Sequence, residues 1–258
     1  MARAGDPTRA SEPARLSSAA RRRALLLQMS EDIQQSLAAS LAQVTREREM
    51  RACDDALQAS VDAVKTYQQQ RFLHTYADLS AMPRYERAVR FFVTDLYGPM
   101  DFTRRDAEFA RVAPGIVRLF PRELSKTVAD IAFLHALSEN LDSQMARYVR
   151  VPAGPLQDAD YARAWRLTGQ PTERRRQIDL VLDLGRSLDR LTRHVLLRQA
   201  LRAMRVPARR AGLGELQAFL EEGFGAFHAM GGATEFLAIV DQRESDFARS
   251  MFGAASPV

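Results

Sequence analysis

The sequence predicts an all-α fold: a multi-helix bundle of seven to nine helices with an extended N-terminal helical segment. Three observations predict it. Apolar residues recur every three or four positions along most of the 258-residue chain. Neither sustained period-two alternation nor a hairpin turn between β-branched runs occurs. Pro and Gly fall where helices would start or stop, at Pro83, Gly98-Pro99, Pro121, Gly154-Pro155, Gly169-Gln170-Pro171 and Gly231-Gly232.

The elements follow in order. Residues 1–20 are rich in Ala, Arg, Ser and Pro and hold one large apolar residue, Leu16, so they read as a disordered basic tail. Residues 21–258 read as one helical domain, with 21–80 a long helix or a helical hairpin and 81–258 the helical core. Ile33, Leu37, Leu41 and Val44 form the first stripe, with Ser30 before Glu31-Asp32 as an N-cap. The stripe lapses across Arg46–Arg51, which reads first as a solvated stretch and otherwise as a partner surface, and resumes at Leu57, Val61, Val64, Phe72 and Leu79. Pro83 opens a helix over Arg84–Tyr97 that Gly98-Pro99 ends. Thr103 is the next N-cap, with Asp106 as its N3 acid, and Pro114-Gly115 breaks or kinks that helix before Leu119.

Pro121 opens the longest clear stripe: Leu124, Val128, Ile131, Leu134, Leu141, Met145 and Tyr148. A short helix at 158–168 follows the loop Val151–Pro155. One strong helix is expected over Ile178–Met204, with Asp189 and Arg193 as an i,i+4 pair. Two more stripes close the chain, Leu213, Leu216, Leu220, Phe224, Phe227 and then Phe236, Val240, Phe247, Met251.

The formal net charge is +5, but six arginines and two acids lie within residues 1–23. The other residues are nearly balanced, 31 basic against 30 acidic. Specific nucleic-acid binding is therefore not expected, and the basic runs lack interleaved aromatics on which bases could stack. Thirty-five of the 37 basic residues are Arg and only Lys65 and Lys126 are Lys, a bias that a GC-rich genome explains. No apolar run is long enough for a membrane span. The single cysteine, Cys53, excludes an intrachain disulfide, and its acidic neighbours Asp54-Asp55 do not favour a thiolate. Arg21-Arg22-Arg23 precedes only four apolar residues, too few for a secretory h-region. The expected location is the cytoplasm.

No phosphate-binding loop, dinucleotide fingerprint, HExxH or nucleophile elbow occurs. Gly223-Phe224-Gly225 reads as a helix-packing groove. His74 reads as a surface partner of Asp78, and His194 and His228 as core-edge histidines. His135, Glu139 and Asp142 share one flank of a helix, at a spacing that could present metal ligands inside a bundle. A lone HxxxE is weak evidence for metal, so the flank reads first as a polar strip fixing helix register. As a metal site it would need Glu86, Asp95, His194 or His228 from another helix.

A second constellation spans Tyr85 to Asp106. Tyr85, Asp95, Tyr97, Arg105 and Asp106 gather aromatics and both charge signs near one turn, as a structural or ligand corner. Adjacent Phe91 and Phe92 require a helix buried on more than one side, and a buried Asp95 requires a partner such as Arg105. With Phe91-Phe92, Asp95-Leu96-Tyr97-Gly98, Asp101 and Arg105-Asp106, this stretch resembles an uncharacterised family of proteobacterial all-helical proteins with an FFxxDLYGPxDFxxRD-like motif. That resemblance implies a bacterial, cytoplasmic protein and brings no activity or site residue.

No acid–base–nucleophile set is visible, which leans against an enzyme. The expected function is a non-enzymatic helical binding or scaffold protein for an unidentified protein or small molecule, with self-association through helix faces. The alternatives are a buried metal or haem site centred on His135 and Glu139, and a small-molecule sensor. No cofactor is predicted.

Overall fold

A computed structural model describes residues 18–96, 102–149 and 154–253. The expected tail lies outside them except for its last residues, which begin the first helix. Tyr97, Gly98-Pro99 and Asp101 also lie outside them. Among the described residues the regular structure is entirely helical, with twelve α-helical segments and one π-helical turn. That exceeds the seven to nine expected, because several breaks carry neither Gly nor Pro.

α1 (Ser18–Ala52) and α2 (Asp55–Thr75) are two helices rather than one. Asp54 separates them: its backbone is extended and its carboxylate accepts from Leu57 N at 3.0 Å, the geometry of an N-cap. α3 (Ala77–Ser80) is a single turn that buries Leu79. α4 (Glu86–Phe91) passes directly into a π-helical turn at Phe92–Leu96. Within this stretch both phenylalanines are buried, as their adjacency required. Phe91 meets Phe219, while Phe92 meets Phe72, Phe227 and Phe236.

α5 (Thr103–Leu119) continues through Pro114 without the break that was one of the two expectations there. Ala113 and Val117 explain its persistence, since both are buried against Leu37, Val128 and Ala132 and this packing holds the last turn. α6 (Arg122–Ala146) starts after Pro121 and buries residues around its whole circumference. It is the central helix, flanked by α1, α2 and α5. Small residues at Ala129, Ala132, Ala136 and Ala146 let its neighbours approach closely.

α7 (Asp158–Thr168) matches the short helix expected. Gly169 and Gln170 both take positive φ, 67° and 63°, so the chain reverses before Pro171 opens α8 (Pro171–Thr192). The helix expected to reach Met204 is in fact three: α8, α9 (Val195–Ala203) and α10 (Arg205–Arg210). Asp189 and Arg193 pair as expected at 2.6 Å. The other carboxylate oxygen of Asp189 accepts from Ala233 N at 3.1 Å, at the entry to the last helix. α11 (Gly214–Met230) and α12 (Thr234–Gly253) complete the chain. A Cβ on Gly223 would lie 2.7 Å from the Phe91 ring, so this glycine does form the groove in which α4 packs.

Three apolar clusters result. The largest joins Phe72, Tyr76, Leu79, Phe91, Phe92, Phe227 and Phe236. A second gathers Val64, Met145, Tyr161 and Trp165 under the end of α12. The third joins α1, α5 and the first half of α6.

Candidate functional site

The polar middle of α1 is not the solvated stretch that the sequence suggested. Arg48 and Arg51 keep the register of the stripe Leu37, Leu41, Val44, and α6 carries a matching row of Val128, Ala132, His135, Glu139 and Asp142. The first part of the seam is apolar and the second part is ionic. Arg51 is 4% exposed and Glu139 is 6% exposed. Arg51 Nη2 donates to Glu139 Oε2 at 2.5 Å and Arg51 Nη1 to Ser143 Oγ at 3.3 Å. From α2, Lys65 Nζ reaches Glu139 Oε1 at 2.6 Å, and Gln68 Nε2 donates to Asp142 Oδ1 at 2.9 Å.

His135 meets a residue of the other constellation. Its Nε2 lies 3.1 Å from Asp106 Oδ2. Arg48 bonds the same carboxylate oxygen, and Arg105 lies 3.2 Å from Asp106 Oδ1. Asp106 thus bridges α1, α5 and α6 instead of capping α5. Burial raises the pKa of its carboxyl, but the hydrogen bond and charge of His135, with Arg105 and Arg48, outweigh burial and hold it well below the ordinary range. Glu139 shows the same balance: burial raises it, while Lys65, His135 and Arg51 together bring it to about 2. Asp142 goes the other way, since full burial outweighs Lys65, Arg174 and Gln68 and pushes it up.

The corner itself divides. Arg105 Nη1 donates to the backbone carbonyl of Asp95 at 2.5 Å, at the π-helical turn, and its guanidinium stacks over Phe102 and Phe219 at 4.0 and 4.6 Å. The Asp95 side chain is partly exposed and accepts from Thr94 Oγ1 at 2.6 Å, so it is not the buried partner of Arg105. Tyr85 lies elsewhere, buried with its hydroxyl donating to Glu235 Oε2 at 2.5 Å. Tyr97 is outside the described residues.

The four residues expected to complete a metal site are also elsewhere. Glu86 pairs with Arg90, Asp95 with Thr94, and His228 with Arg198; His194 is an exposed residue at the start of α9. His74 does not hold Asp78, which takes a two-pronged bond from Arg243. Among the described residues no group of three His, Cys, Asp or Glu side chains is placed to hold a metal ion. The charges also disfavour one: Arg48, Arg51, Arg105 and Lys65 already supply the cations that Asp106 and Glu139 need. For a haem, the His135 nitrogen that would ligate iron faces a carboxylate.

The network continues toward a cleft of about 60 Å³ between α2, α7, α8 and α12. Gln68, which holds Asp142, also lines this cleft, together with Arg174, Gln177, Trp165 and Phe247. Arg174 is 3% exposed and its guanidinium lies 4.0 Å above the Trp165 ring. Arg71 closes one side, bonded through both nitrogens to Glu244 at 2.9 Å and stacked 4.2 Å from Phe247. The indole Nε1–H of Trp165 is buried without a hydrogen-bond partner among the described residues. The sequence signalled none of Arg174, Trp165, Gln68 or Gln177, because they are spread over three helices and none belongs to a recognised motif.

Comparison with known proteins adds a family and no activity. The model of a family described as Domain of unknown function (DUF8198) matches residues 47–257, a span that holds the ionic end of α1, all of α6 and the cleft. No curated protein and no solved structure matches the chain. With most of its length covered, the chain belongs to the DUF8198 family.

Proposed function

We propose that this is a non-enzymatic helical binding protein, and that the cleft beside Trp165 takes a small ligand with an apolar body and an anionic end. The observation that carries this reading is the Arg174 guanidinium stacked on Trp165 at the cleft wall, with the amides of Gln68 and Gln177 beside it. Aromatic walls favour an apolar body, while a guanidinium and two amides favour an acceptor group that needs orienting. The unpartnered indole N–H supplies one more donor. At roughly 10–15 Å³ of water-centre space per water, the cleft accommodates about four non-hydrogen atoms. That suits a short-chain carboxylate or the end group of a longer molecule.

The ionic network supports binding over catalysis. Asp106 and Glu139 are held ionised by their cations, so at neutral pH they have no proton to give and are weak bases. A sensing role would use the same cleft. Gln68 both lines it and holds Asp142, so occupancy bears directly on the seam between α2 and α6.

Trp165 is the only tryptophan, so its fluorescence reports on the cleft. Titration with acetate, butyrate and benzoate should give a saturable change that butyramide gives only weakly. Gln177→Ala should weaken the response beyond any fall in melting temperature, since Gln177 also donates to Ser138 Oγ at 2.7 Å. No saturable change with any of the carboxylates, together with no thermal stabilisation, would refute the reading.

A further inference from the structure

The near-neutral charge of residues 24–258 conceals a strong local asymmetry. Between Asp189 and Glu215 there is no acidic residue, and seven arginines lie there: Arg190, Arg193, Arg198, Arg202, Arg205, Arg209 and Arg210. The rest of that span holds 24 basic residues against 30 acidic ones. The cationic stretch coincides with the least buried part of the fold, since α9 buries no residue at all. Its large aliphatic side chains face water: Val195 is 56% exposed, Leu196 79%, and in the adjoining turns Met204 49% and Val206 57%. Arg190 meets Glu123 at 3.2 Å, which brings the exposed Leu119 and Phe120 of the α5–α6 turn to the same end of the molecule.

Some of these arginines are engaged within the fold. Arg193 pairs with Asp189, Arg198 with His228, and Arg205 with Glu221. Arg202, Arg209 and Arg210 are exposed on the same short helices as the aliphatic tips. Aliphatic side chains flanked by cations, on a helix with no buried face, match an interface that is anionic at its surface and apolar just beneath it. Residues 190–214 hold no Phe, Tyr or Trp, so a base-stacking platform is not offered.

We propose that α9 and α10 form a docking face for an anionic lipid bilayer. Leu196, Val195 and Val206 enter the headgroup–acyl boundary while Arg202, Arg209 and Arg210 meet lipid phosphates. The protein lies on the membrane and does not cross it; no described helix is long and apolar enough to span. This face is separate from the Trp165 cleft and stands whether or not the cleft binds a ligand.

The test is flotation of the full-length chain with vesicles of phosphatidylcholine alone and of phosphatidylcholine with phosphatidylglycerol. Binding should require the anionic lipid and weaken as salt rises. Leu196→Asp and the triple variant Arg202→Glu, Arg209→Glu, Arg210→Glu should each reduce partitioning about tenfold or more, with unchanged circular dichroism and melting temperature. The triple variant Arg21→Glu, Arg22→Glu, Arg23→Glu separates any contribution of the basic N-terminal stretch and should retain most of the binding. Equal binding to neutral vesicles, insensitivity to both α9–α10 variants, or loss only in the Arg21–Arg23 variant overturns the proposal. So does binding to polyglutamate or duplex DNA at least as tight as to the anionic vesicles, which would assign the face to a protein or nucleic acid.

Discussion

Asp106 Oδ2 lies 3.1 Å from His135 Nε2, joining a residue near the start of α5 to one midway along α6. The contact fuses two groupings that are separate in the sequence. Through Arg48 it also reaches α1, so three helices are tied at one carboxylate.

Glu139→Gln should destabilise the fold by about 3–5 kcal/mol, because it leaves the buried Arg51 guanidinium without a counter-charge. The double variant Arg51→Met, Glu139→Leu should be more stable than Glu139→Gln, since it removes both charges together; Lys65, partly exposed, can turn to water. Urea denaturation of the wild type, Glu139→Gln and the double variant checks this. A double variant no more stable than Glu139→Gln would show that the unpaired Arg51 charge is not the source of the loss.

Acid should unfold the protein through the same residues. Glu139 and Asp106 have folded pKa values below their ordinary ones, so their stabilisation is complete above about pH 5 and is lost as pH falls toward 2. For Glu139, a fall from 4.5 to about 2 corresponds to roughly 3 kcal/mol. Asp142 has the opposite sign: its raised pKa opposes folding when it is ionised and eases as it protonates. Asp142→Asn should therefore raise stability at pH 7 and steepen the acid loss. Denaturation midpoints between pH 3 and 7 measure both effects.

Arg105→Ala should lose about 2–4 kcal/mol, because it strips the Asp95 carbonyl of its donor and leaves Phe102 and Phe219 unstacked. Arg105→Lys should recover little of this, lacking a planar fork. Asp95→Ala should change stability by only about 0.5 kcal/mol, since among the described residues that partly exposed side chain bonds its neighbour Thr94. Thermal melts rank the three variants.

Two glycines in helices should respond oppositely to alanine. At Gly223 the new Cβ would lie 2.7 Å from the Phe91 ring, and overpacking should cost about 1–3 kcal/mol. At Gly115, inside α5, nothing lies within 4 Å, and the gain in helix propensity should stabilise by about 0.5–1 kcal/mol. Chemical denaturation of both variants tests the contrast.

The helices were legible wherever apolar periodicity met a Pro or Gly boundary, as at Pro121, at Gly169-Gln170-Pro171 and for α7. They were not legible where a helix ends without such a residue, as at Asp54 and His194, since leucines and valines keep nearly the same spacing across those breaks. Pro114 misled in the opposite direction, because tertiary packing of Ala113 and Val117 outweighs a local breaker. The spacing of His135, Glu139 and Asp142 places them on one flank, but it does not name their partners. Arg48 and Arg51 occupy stripe positions normally filled by apolar residues, and the acids that face them, Asp106 on α5 and Glu139 on α6, make arginine acceptable there. A single sequence gives the spacing of charges along a helix but not which charges face one another across two.

The seam between α1 and α6 also sets an order of events during synthesis. Arg51 and Glu139 are separated by 88 positions. At about 5–20 residues per second, a ribosome takes roughly 4–18 s to deliver the acid after the guanidinium. Throughout that interval the newly made first helix has its apolar stripe and its two arginines but no α6 to receive them. Its docking therefore waits until α6 has been made, and a chaperone that shields exposed amphipathic helices has its natural window there.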